Sequence, residues 1–213
     1  MLLIDFLFRW SHVLFGVAWI GLLYYFNFIQ GEYFKEATAD AKADATKKLA
    51  PRALWWFRWA AAATLITGLY LLFELGAGAN QYIGVGALMG ILMAMNVWLI
   101  IWPNQKIVCG IVEGDAAAAA PKALLASRTN TLFSAPMLFG MLASKHGVLS
   151  TGGNGGFDGI SLGDMGFLIA LIMIVLIELN AIFGKLGPIA TVKGVIHCSI
   201  GLTAIMFGIL HFV

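Results

Sequence analysis

A chain of 213 residues that is 61% hydrophobic and only 11% charged, with a mean hydropathy of +0.89, falls well below the roughly 25% charged content of a water-soluble domain. Thirteen Lys+Arg against eleven Asp+Glu leave a formal charge of +2, too small a surplus for a nucleic-acid-binding surface or a basic tail. The two cysteines, Cys109 and Cys198, form neither a CxxC nor a CxxCH pair, which excludes a disulfide framework, a zinc knuckle and c-type haem attachment.

A spanning helix needs about 20 mostly apolar residues. Six stretches meet that length: Leu3–Ile29, Leu54–Leu75, Ile83–Trp102, Thr131–Leu149, Met165–Gly184 and Gly194–Val213. They predict an all-α, polytopic bundle of six transmembrane helices forming a single domain over residues 1–213. The first stretch has no basic n-region and runs into Tyr24, Tyr25, Phe26 and Asn27 rather than an A-x-A site, so it reads as a retained helix and not a cleavable signal. Pro51 and Pro103 punctuate helix boundaries, and Pro121 stands where it would open a short cytoplasmic helix. Pro136, in the fourth span, is expected to bend it. The Gly-rich loop Ser150–Gly159 lacks the Lys-Ser/Thr and the strand that a phosphate loop requires.

Basic residues set the orientation. Lys35, Lys42, Lys47, Lys48 and Arg52 follow the first span, Lys106, Lys122 and Arg128 follow the third, and Lys185 and Lys193 follow the fifth. The other side holds only Arg9 and Lys145, with Arg58 just inside the second span. The positive-inside rule then puts both termini outside, as for a multi-pass protein of a bacterial inner membrane.

Ionisable groups inside a membrane helix are costly and face protein rather than lipid. At about 100° per residue, Asp5, Arg9, His12, Gly16 and Trp19 share one stripe of the first helix. The last helix repeats the pattern with Gly194, His197, Gly201, Gly208 and His211. His12, His146 and His211 fall at similar depth near the outer boundary. Two neutral imidazoles from facing helices, across an apolar slot widened by glycines such as Gly16, Gly201 and Gly208, are what one low-spin haem b needs as axial ligands. Arg9 and Lys145 would meet its propionates. Depth alone leaves His146 and His211 both open as the mate of His12. A single His at a helix end also serves as an interfacial anchor, and His197, with no second inner histidine, reads as a hydrogen-bonded structural or quinone-proximal residue.

Other polar residues carry weaker signals. Asn96, Glu178, Asn180, Thr64, Thr67 and Tyr70 read chiefly as glue between helices. Trp55, Trp56, Phe57 and Trp59 around Arg58 read as an interfacial belt. Met137 and Met141 read as packing rather than as ligands.

Four strings carry a likeness: "RWSHVLFGVAWIGLLYYFNF" (Arg9–Phe28), "APRALWWFRWAAAATLITGLYLL" (Ala50–Leu72), "MNVWLIIWPNQKIV" (Met95–Val108) and "SRTNTLFSAPMLFGMLASKHG" (Ser127–Gly147). Together they resemble the urate oxidase N-terminal membrane domain, which is found in bacterial membrane-bound urate-oxidising proteins with a C-terminal cytochrome c. A more distant likeness, carried by His12 and by Arg128, Asn130 and Pro136, joins the chain to membrane haem proteins of the HemJ-type protoporphyrinogen oxidase and copper-resistance D groups. The resemblance implies a haem-associated redox protein in which His12 and His146 match the family's first- and fourth-helix histidines. This sequence ends at Val213 with no CxxCH, so urate oxidation by the chain alone is not expected, and a separate cytochrome c or a quinol would exchange the electrons. The contrasting expectation is a cofactor-free accessory subunit of a larger membrane complex, docking through Gly84, Gly86 and Gly90 or through Gly201 and Gly208.

Overall fold

A computed structural model describes residues 2–146 and 163–213. Among them there is no strand. Six long helices carry the fold: α1 (Leu2–Glu36), α2 (Ala39–Leu75), α3 (Gln81–Val108), α4 (Ala116–Ala143), α5 (Met165–Phe183) and α6 (Val192–Phe212). All but α4 are long and apolar enough to cross a membrane, which gives five candidate spans. Large apolar side chains stay on the outside of these helices, with Leu99 at 65% exposure on α3 and Leu176 at 60% on α5, as expected where the solvent is lipid. The Gly-rich loop expected at Ser150–Gly159, and the end of the span expected at Thr131–Leu149, lie outside the described residues.

The helices run past the apolar stretches at their loop ends. α1 continues through a widened, π-helical turn at Tyr25–Gln30 to Glu36, and α3 does the same through Asn96–Ile101. Each widened turn carries a buried asparagine that works on a neighbouring helix. Asn27 donates to the Leu23 carbonyl (2.9 Å) and to Ser127 Oγ on α4 (2.8 Å). Asn96 donates to Asn130 Oδ1 on α4 (3.0 Å) and to Glu178 Oε2 on α5 (3.1 Å).

α4 corrects the expected boundaries most. The short helix anticipated at Pro121 is not separate: Asp115 caps the N–H groups of Ala117 and Ala118, and one 28-residue helix runs from there through Pro121 and Pro136 to Ala143. Proline has no N–H, so Pro136 deprives the Leu132 carbonyl of its normal helical donor. Ser199 on α6 donates its hydroxyl to that carbonyl at 2.8 Å, meeting the requirement that every backbone polar group in a bilayer be satisfied from within the protein. The break that proline makes in one helix thus becomes the bond that docks another.

Packing follows a simple plan. α1 lies mainly on α2, α3 on α4, and α4 also on α6, which in turn holds α5. The α3–α4 seam is close because two glycines meet there: a Cβ on Gly140 would stand 2.6 Å from the Tyr82 carbonyl oxygen, and one on Gly86 would stand 3.1 Å from the Met137 carbonyl oxygen. Small residues of this kind let membrane helices approach closely. Bonds from Tyr70 to Asp5, Asn80 to the Ser144 carbonyl and Gln81 to the Leu210 carbonyl gather residues of five helices and their flanks at the end of the bundle that holds both termini.

Candidate functional site

The α1–α2 pair and the α3–α4 pair touch each other sparingly towards the terminal end, and a cavity of about 700 Å³ opens between them. That volume lies inside the range of about 300–1,000 Å³ typical of cofactor and small-molecule sites. Its walls are almost entirely apolar, built from residues such as Ile20, Leu65, Leu72, Ile91 and Leu138. Polar groups are few and sit at definite places: His12 and Thr64 on the α1–α2 wall, Tyr24 at the deep end, and Arg9, Ser144 and Lys145 at the terminal end.

His12 is the sole histidine of this lining. Its Nδ1 lies 3.0 Å from the Thr64 carbonyl oxygen and 3.2 Å from Thr67 Oγ1. A carbonyl can only accept, so Nδ1 carries the proton. Thr67 spends its own hydroxyl hydrogen on the Ala63 carbonyl at 2.7 Å and accepts from His12 as well. Nε2 is therefore the bare nitrogen of the ring, and it has no hydrogen-bond partner among the described residues. An imidazole tied through one nitrogen to a backbone carbonyl, with the other nitrogen free, is how metal-ligating histidines are held in orientation and tautomer. The ring also rests on Gly68 of α2, where a Cβ would come within 2.8 Å of its Cε1.

Arg9, His12, Gly16 and Trp19, which share a stripe by periodicity, and Lys145, named as a propionate partner, all line this one cavity. Trp19 is 2% exposed and its indole N–H has no partner among the described residues. The rest do not come together there. His146 is exposed at the end of α4. His211 stacks on Phe207 (5.2 Å between ring centroids) and meets Phe212 edge-on at 4.7 Å. Gly201 and Gly208 have open space where a Cβ would stand, but they lie on α6, which packs against α4 rather than across the cavity from α1. The three histidines share an end of the bundle without sharing a site, because α4 stands between α6 and the α1–α2 pair. His197, expected to be hydrogen-bonded, is instead exposed and has no side-chain hydrogen bond among the described residues.

Five contributors escape a reading of single helices. Thr64 and Thr67, taken as interhelical glue, are the pair that fixes the His12 ring. Gly68 makes room for it. Met137 and Met141, taken as packing, line the α3–α4 wall. The only trace in the sequence is the spacing of Thr64, Thr67 and Gly68 on one face of α2, which acquires a meaning only when α1 lies against that face.

The apolar walls, the free imidazole nitrogen and the two cations at one end fit a flat, amphiphilic iron macrocycle: an axial nitrogen for the metal, hydrocarbon for the ring, and Arg9 and Lys145 for carboxylates. Neither cation has an ion-pair partner among the described residues. No group of three or more His, Cys, Asp or Glu suited to a bare metal ion occurs among them.

Residues 74–155 match the urate oxidase N-terminal family. The matched segment spans the end of α2, all of α3 and α4, and hence the Met137, Met141 and Lys145 wall of the cavity. It covers the third and fourth of the four strings quoted above and leaves α1, with His12, outside the match. No curated protein and no solved structure matches the chain.

Proposed function

We propose that this chain is a membrane-integral b-type haem protein that transfers electrons, holding one haem in the cavity between α1, α2, α3 and α4 with His12 as an axial ligand. The observation that carries the reading is the His12 ring, proton-bearing at Nδ1 against Thr64 and bare at Nε2 beside a 700 Å³ apolar cavity. Bound haem would supply a one-electron couple. Thr64 and Thr67 keep the ring in the ligating tautomer. The leucine and isoleucine walls exclude water and keep the local dielectric low. Arg9 and Lys145 offer charge-assisted contacts to carboxylates at the terminal end.

In the fuller form of this proposal α4 is a sixth span, both termini lie on the non-cytoplasmic side of a bacterial inner membrane, and electrons pass to or from a cytochrome c or a quinol. The distribution of Lys and Arg supports the orientation. The name of the matched family makes urate a substrate to try with an added one-electron acceptor.

The deciding experiment is the visible spectrum of detergent-purified protein. The wild type is expected to show a reduced-minus-oxidised α-band that disappears in His12→Ala. A wild type with no band, or a variant that keeps it in full, overturns the proposal. A second reading, a cofactor-free accessory subunit, draws support from the unfilled space beside Gly201 and Gly208 on α6. It predicts a featureless spectrum together with co-purification in a larger complex. Gly86 and Gly90 do not serve that reading, since Met137 and Met141 already cover them.

A further inference from the structure

Resting on the haem reading, we infer that Met141 supplies its thioether sulfur as the second axial ligand, making this a histidine–methionine site rather than a bis-histidine one. The neighbouring helices set up the two walls alike. On α1, Arg9 precedes His12 by three residues, about 4.5 Å of helical rise. On α4, Lys145 follows Met141 by four residues, about 6 Å of rise. All four line the one cavity, so the two candidate ligands stand about one turn below their cations and at matching depth.

Each candidate also lies against a glycine of the partner helix. His12 rests on Gly68. A Cβ on Gly86 would stand 3.3 Å from Met141 Cγ, and one on Gly90 would stand 3.5 Å from both Met141 Cε and Met137 Sδ. The glycines leave the thioether lying on the α3–α4 wall while the imidazole lies on the α1–α2 wall. Met137 is one turn deeper and 4% exposed, enclosed by packing at a depth where α1 offers Gly16 and no ligand.

The competing donors of the lining are otherwise engaged or unsuited. Tyr24 shares a 2.8 Å bond with Ser134. Lys145 is exposed and would have to give up its proton. A thioether is neutral and needs no deprotonation, which suits an apolar cavity, and as a soft donor it favours ferrous over ferric iron. Methionine opposite histidine accordingly raises the reduction potential.

The test uses the whole chain carrying Met141→Leu, Met141→His or, as control, Met95→Leu, with optical spectra and redox titration as readouts. The oxidised wild type is expected to show the weak thioether-to-iron charge-transfer band at the red end of the visible spectrum. Met141→Leu should retain haem but lose that band. Met141→His should lower the midpoint potential, while Met95→Leu, at a methionine 45% exposed and outside the cavity lining, should leave band and potential unchanged. Haem bound with no such band in the wild type, or a band and potential indifferent to both Met141 substitutions, overturns this inference and leaves the haem reading standing. A wild type without haem overturns both.

Discussion

The two halves of this bundle differ in what fills the space between the helix pairs. In the half away from the termini, buried polar side chains bond one helix to the next: Asn27 to Ser127, Tyr24 to Ser134, and Asn96 to both Asn130 and Glu178. Asn130 closes that network on the Met93 carbonyl at 2.9 Å, and Arg128, 4% exposed, sits in the same half with Nε and Nη1 unpartnered among the described residues. In the half near the termini the α1–α2 pair stands apart from the α3–α4 pair around an apolar cavity whose sole histidine, His12, is anchored on α2. Lipid offers helices no hydrophobic reason to associate; the polar network holds the helices at one end, while the bonds and the glycine seam at the terminal end leave the cavity open between the two pairs.

Breaking the α3–α4 seam tests the comparison hardest. Gly140→Val places side-chain atoms where the Tyr82 carbonyl already lies, since even a Cβ would come to 2.6 Å. It should destabilise the fold by about 1–3 kcal/mol and damage both halves, seen as a lowered melting temperature by circular dichroism and a spread gel-filtration profile. Asn130→Leu removes two bonds from the polar half and should cost roughly 1–2 kcal/mol. The same variant should leave the visible spectrum unaltered, and a spectral change would show that the halves are coupled.

Gly68→Ala sharpens the comparison from the other side. The added methyl presses on His12 Cε1 next to an open space, so the melting temperature should move by less than the equivalent of about 1 kcal/mol. Haem retention should weaken by about ten-fold, the scale of losing a residue that orients a metal-ligating histidine, measured as haem per protein after purification. Smallest is Ser199→Ala, which leaves the Leu132 carbonyl opposite Pro136 without its donor and should cost about 0.6 kcal/mol, read as a small melting shift with no spectral change.

Five of the long helices are legible in the chain as apolar runs, with errors only where polar, loop-end residues extend them. α4 is harder to read because its central turns carry Arg128, Thr129, Asn130, Thr131 and Ser134, all buried. These side chains lower its hydropathy while binding it to its neighbours, so the helix at the middle of the bundle is the one that looks least like a span. The stripe of α1 is legible too, since Arg9, His12, Gly16 and Trp19 share a face by periodicity and share the cavity in space.

By itself, then, the sequence determined that the chain is helical, that its helices are apolar enough to suit a bilayer, and that Arg9, His12, Gly16 and Trp19 share one face of α1, because hydropathy and a 3.6-residue period are properties of one helix at a time. The stripe it marked on α6 does not turn inward, since His197 is exposed there. Only the tertiary structure decided which histidine reaches the cavity, that Thr64 and Gly68 hold its ring, and that Met141 rather than His146 or His211 lines the wall beyond it. Those outcomes depend on which helices become neighbours. α4 packs on α3 through Gly86 and Gly140 and on α6 through the Ser199–Leu132 bond, and no periodicity within a single helix encodes that placement.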